Sequence, residues 1–89
     1  MKNGSLSGAQ IRAARALLRW SAHDLAREAV LGVNTVRRAE VAEEEISLTA
    51  ANALAIRRAL EAAGVEFIDE NGGGPGVRLR KRASEKSRK

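Results

Sequence analysis

Apolar residues recur three and four positions apart through the first two thirds of the chain, then switch to alternation after Gly64. Ser7, Gly8, Ala9 and Gln10 spell a capping box, in which Ser7 accepts from a first-turn amide and Gln10 reaches back. The helix they open carries Ile11, Ala14 and Leu18 on one face. Ser21, Ala22, His23 and Asp24 make a second start signal, with an acid in the first turn to suit the helix dipole. This second helix turns Leu25, Ala26 and Ala29 inward and should stop near Val30, Leu31 and Gly32. A third short helix is predicted over 33–41, with Val36 and Ala39 as its inward pair. A fourth starts at Ser47 or Thr49 and runs to Ala63, with Ala53, Ile56, Leu60 and Ala63 as its core stripe and Gly64 as a left-handed cap.

Past Gly64 the segment Val65, Glu66, Phe67, Ile68 reads as a strand. Residues 69–76 form a loop holding five Gly or Pro residues, and Val77, Arg78, Leu79, Arg80 alternate as a second strand. The organisation is then a disordered start over 1–6, a helical unit over 7–64, a β-hairpin over 65–80 and a basic, disordered tail over 81–89. The fold class is mostly α, four helices followed by a hairpin. A lone two-stranded hairpin is marginal in water, so Val65, Phe67, Val77 and Leu79 need cover. They either fold back on the first and fourth helices or pair with the same strands of a second copy; the dimer is the preferred reading.

Eighty-nine residues, 44 per cent of them hydrophobic, suffice for one small domain. With no cysteine there is no disulfide framework or thiol nucleophile, and a single histidine, His23, cannot build a multi-histidine metal site. Two aromatics, Trp20 and Phe67, are too few for a base-stacking platform. No stretch approaches the roughly 18 apolar residues of a membrane span, and no apolar run follows Met1 and Lys2, so the expected compartment is the cytoplasm. No metal or other cofactor is expected.

The net charge of +5 changes the picture once it is located. Residues 78–89 hold seven basic residues and one acid, a net +6, whereas residues 1–77 come to −1. The tail is either a solvated terminus or a non-specific phosphate contact. The body must be judged by where its arginines point.

Two short helices joined by a tight turn, flanked by supporting helices, are the layout of a helix-turn-helix whose second helix can enter the major groove of DNA. Residues 10–18, Trp20 with Ser21, residues 24–27 and residues 35–40 together resemble the Cro/repressor-type (XRE) helix-turn-helix regulators, the lambda-repressor-like DNA-binding domains. Residues 59–68 and 72–80 are similar to the C-terminal part of a short bacterial subgroup of that family, so the likeness spans about residues 8–80. It implies a four-helix lambda-repressor-like domain that binds double-stranded DNA as a dimer and regulates transcription.

By position, the resemblance puts Val33, Asn34, Thr35, Arg37 and Arg38 on the DNA-facing side of the third helix. Their chemistry suits base edges: Asn34 can pair bidentately with adenine, Arg37 or Arg38 with guanine, and Val33 can touch a thymine methyl. Thr35 can donate to phosphate. Against this, Arg37 and Arg38 can be a solvated face and Val33 a half-buried turn residue. Ser21 and Ala22 at the second helix start, with Arg12 and Arg19 of the first helix, are the candidate phosphate contacts; both arginines can equally be solvated. The resemblance further implies a structural salt bridge between Arg15 and Glu40. Trp20 reads as packing and His23 as exposed.

Three features depart from the family pattern. Ala22 stands where glutamine often holds phosphate, although amides at that helix start can still bind one. Val30 stands where a left-handed glycine is usual, at a cost of roughly 1–2 kcal/mol; a modified turn or a slightly shifted helix end, with Gly32 absorbing the strain, is expected. Glu43, Glu44 and Glu45 follow the third helix and would repel phosphates unless they point away.

The leading expectation is a dimeric repressor or autoregulator reading a pseudo-palindromic operator. The alternative is a protein-interaction module, an antitoxin or anti-activator, engaging a partner through residues such as Glu43, Glu44 and Glu45. An enzyme is not expected. Short helices offer little concave site, and Gly72, Gly73, Gly74, Pro75 and Gly76 precede a strand without the lysine of a phosphate loop.

Overall fold

A computed structural model describes residues 6–41, 49–69 and 72–80. The segment with Glu43, Glu44 and Glu45, the tail 81–89 and residues 1–5 lie outside the described residues. Four helices and one antiparallel hairpin follow in order: α1 (Gly8–Leu18), α2 (Ala22–Ala29), α3 (Val33–Glu40), α4 (Ala50–Ala62), β1 (Val65–Ile68) and β2 (Gly76–Leu79). The chain is mostly helical, as expected, and β2 starts one residue earlier than alternation indicated. None of the described helices is long and apolar enough to cross a membrane.

Each start signal acts through hydrogen bonds. Ser7 Oγ accepts from the Gln10 amide at 3.1 Å, and Gln10 Oε1 accepts from the Ser7 amide at 3.0 Å. The same reciprocal box joins Ser21 and Asp24, at 3.0 and 2.9 Å. Thr49 caps α4 through the Asn52 amide. Leu6 corrects the expectation of a disordered start over 1–6: it is buried in the core with Ile11. Leu6 and Ile11 occupy the two positions, before the cap and one turn in, where a hydrophobic staple sets apolar residues.

Both α1 and α2 end in the same way. After α1, Arg19 adopts φ 59°, its amide reaches Ala16 O, and the Trp20 amide reaches Arg15 O. After α2, Val30 adopts φ 59° and ψ 50°, its amide reaches Arg27 O, and the Leu31 amide reaches Ala26 O at 2.9 Å. These are Schellman closures, normally made with glycine in the left-handed position. The strain expected at Gly32 therefore sits on Val30 itself; Gly32 has an ordinary extended backbone as the N-cap of α3. Two hydrogen bonds and the packing of Leu31 on the core hold the valine there.

The core gathers one stripe from every helix: Ile11 and Ala14, Leu25, Ala26 and Ala29, Val36 and Ala39, Ile56 and Leu60. Ala53 and Ala63 of the expected α4 stripe are only half-buried. α3 packs on α1 and α2, and α4 on α2. The hairpin folds back, with β1 against α4 and both strands against α1. Val65 pairs with Leu79 and Phe67 with Val77, so the four apolar residues share one face. Val65 is fully buried within its own chain, which removes it from any surface offered to a second copy. Phe67 and Val77 are partly covered by the same core, and Leu79 stays 47 per cent exposed. Arg57 of α4 lies 4.9 Å above the Phe67 ring, and the Arg80 amide closes the hairpin base on Gly64 O. Gly64, at φ 113°, makes the reversal from α4 into β1 possible.

Candidate nucleic-acid interface

The site is an eight-residue helix with two unlike faces. Val36, Ala39 and Glu40 are buried against α1 and α2. Asn34 and Arg38, one turn apart, lie on the opposite side and are exposed, and Arg37 is exposed on the flank. None of these three side chains bonds to another among the described residues. Val33 and Thr35 are half-buried: Val33 packs on the core, and the Thr35 amide is engaged with Gly32 O. Of the five residues expected to face bases, three form the outer face of α3 and two sit at its margin.

Besides this packing, two arginines from α1 reach the end of the helix. Arg15 Nε and Nη2 donate to the two carboxylate oxygens of Glu40 at 2.5 and 2.9 Å, and Arg15 Nη1 donates to Trp20 O at 2.8 Å. The Glu40 side chain is 8 per cent exposed and that of Arg15 23 per cent, so the pair is largely withdrawn from water. Hydrogen bonding to Glu40 pushes the guanidinium pKa up, outweighing the opposing effect of its burial. Arg12, three residues earlier, donates through Nη1 to the Glu40 carbonyl. This contact ties Arg12, expected among the phosphate contacts, to the end of α3.

The other candidate phosphate contacts surround the start of α2. Ser21 and Arg19 are exposed, and Ala22 is half-buried on the core. The first four amides of a helix lack partners within it; at this start the reciprocal box satisfies those of Ser21 and Asp24. Asp24 at this end accepts from the Ser21 amide and from Arg27, and these contacts hold its carboxyl below the usual range. An anion approaching the start of α2 therefore meets a fixed carboxylate.

No protein-family model and no curated protein matches this chain.

Several contacts had no local signal in the sequence. Arg12 meets Glu40 across 28 positions, and the Gln10 amide group donates to Gly76 O across 66. Leu6 did have a signal, because an apolar residue just before a capping serine with another one turn inside is the staple pattern.

Proposed function

We propose that this chain is a sequence-specific double-stranded DNA-binding protein of the lambda-repressor-like helix-turn-helix type, with α3 as the helix that enters the major groove. The observation that carries the reading is the division of α3 into a buried face, Val36, Ala39 and Glu40, and an open face bearing Asn34, Arg37 and Arg38. Amide and guanidinium groups are the side-chain chemistry that pairs bidentately with adenine and guanine edges. A helix fixed to α1 and α2 supports it further, since base reading demands that these groups arrive already aimed.

The reading extends to a repressor or autoregulator, since occupying a promoter needs only this module. It binds as a homodimer to a pseudo-palindromic site, with recognition helices about 34 Å apart. Leu79, rather than the buried Val65, is the hairpin residue left for the contact between copies. Selection of bound sequences from a random duplex pool tests the reading. The expected result is an enriched site retained at 150–200 mM salt, in two half-sites about 10 base pairs apart. A pool that remains random after repeated rounds would refute it.

A protein-interaction module is the second reading, supported by two exposed valines that bracket α3, Val30 at 86 per cent and Val41 at 72 per cent. The same selection separates the two, because a protein-binding surface enriches no sequence.

A further inference from the structure

Of the four described helices, α3 is the one whose start has no side-chain cap. Ser7, Ser21 and Thr49 cap α1, α2 and α4 with side-chain hydrogen bonds, whereas α3 starts at Gly32 with none. Its last residue before the cap is Glu40, and the cap, Val41, is exposed with an ordinary right-handed backbone. Eight residues make a helix about 12 Å long, too short to be stable alone. Orientation must therefore come from its neighbours.

Arg12 and Arg15 lie three apart on α1, hence side by side on one face. Both end on the same residue of α3: Arg15 on the carboxylate of Glu40, Arg12 on its main-chain carbonyl. The two contacts constrain different motions. A side-chain contact resists rolling of α3 about its axis, while a main-chain contact at the last carbonyl resists lifting of the helix end. A cation at a helix C-terminus is also favoured by the helix dipole.

We propose that Arg12 is a positioning residue for DNA recognition, acting through the Glu40 carbonyl to hold the end of α3 so that Arg37 and Arg38 meet base edges in register. This rests on the DNA-binding reading above. It separates Arg12 from the phosphate-neutralising arginines, because the two roles leave different signatures. A phosphate contact contributes about 0.9 to the slope of log affinity against log salt and acts equally on every sequence. A positioning contact leaves that slope alone and acts on the selected sequence.

The experiment compares the full chain with Arg12→Met on two labelled duplexes, the site enriched from the random pool and a scrambled control, between 50 and 200 mM salt. The expected result is about a tenfold loss on the selected site, the worth of one charged hydrogen bond. Affinity for the scrambled duplex and both salt slopes stay as in the wild type. A slope lower by about 0.9, or an equal loss on both duplexes, overturns the proposal. In the free protein, amide exchange at Ala39, Glu40 and Val41 should quicken about tenfold in Arg12→Met and recover in Arg12→Lys, which keeps a donor, while Ile56 and Leu60 stay protected. Unchanged exchange at those α3 amides also overturns it. If Arg12→Met loses protection throughout, Arg12→Gln takes its place in both measurements. A wild-type chain that binds no duplex refutes the DNA reading, and the exchange comparison then decides the grip by itself.

Discussion

Gln10 joins the beginning of the chain to its end: its Oε1 completes the cap of α1 by accepting from the Ser7 amide at 3.0 Å, and its Nε2 donates to Gly76 O at 3.2 Å. A local cap and a long-range tie thus share one buried side chain, 6 per cent exposed. Glutamate is as good a partner as glutamine in a capping box, so the cap alone predicts no loss for Gln10→Glu. The tie predicts a loss of about 2 kcal/mol, because a buried carboxylate would face a carbonyl it cannot donate to. Thermal unfolding at neutral pH distinguishes the two. Gln10→Ala, which loses both contacts, should cost about 1–2 kcal/mol.

The Arg15–Glu40 pair is expected to behave as a unit. Arg15→Met leaves a carboxylate buried beside Val36 and Ala39 without its partner, at a cost of about 2–3 kcal/mol, below the usual 3–5 because Arg15 keeps some solvent. The double variant with Glu40→Gln should lose less than the sum of the single changes, with a coupling of about 1–2 kcal/mol in urea unfolding. Additive losses would mean that the two side chains act independently.

Val30 bears strain in full view of solvent. A β-branched residue in the left-handed region costs roughly 1–2 kcal/mol, and at 86 per cent exposure its side chain returns little through packing. Val30→Gly should raise stability by about 0.5–1 kcal/mol once the greater freedom of glycine in the unfolded chain is counted. A fall in melting temperature would show that the valine stabilises the turn by some other contact.

Two carboxylates set the expected response to acid. The Ser21 amide and Arg27 hold Asp24 below its ordinary range, and Arg78 does the same for Glu66. A depressed folded-state value adds stability that is complete above the unfolded value and is lost as pH falls through the folded one. The loss is therefore expected below about pH 4. Both groups are exposed, so the effect is small and weakens with salt. Asp24→Asn should flatten the acid limb of a melting-temperature profile; an unchanged limb would assign the acid response to other groups.

If α3 reads DNA as proposed, Arg38→Ala on its outer face should cost about 1–3 kcal/mol at a single base position and relax preference there. An equal loss on all sequences, with a shallower salt slope, would make Arg38 a phosphate contact instead.

The parts of this fold legible in the sequence are those that local chemistry dictates. Ser7 with Gln10 and Ser21 with Asp24 announce their helices because each box closes within four residues. The inward stripes of α2 and α3 follow from helical period. The Arg15–Glu40 pair has no local signal and follows only from the family resemblance; both of its hydrogen bonds are present. The left-handed Val30 is not legible, because it rests on two closure bonds and on the packing of Leu31, which no propensity for valine conveys. The contact of Arg12 with the Glu40 carbonyl is equally hidden, because a main-chain acceptor 28 positions away is invisible to any side-chain pattern. The hairpin's apolar face was recognised, but which surface covers Val65 depends on how α1 and α4 converge.

Trp20 is the one tryptophan in the chain, and it stands at the corner between α1 and α2 with its carbonyl held by Arg15, the same guanidinium that grips Glu40. Nature has in effect wired a fluorophore to the joint that aims α3. Its emission offers a label-free optical gauge of that joint, in free protein and in any complex, without adding a dye or changing a residue.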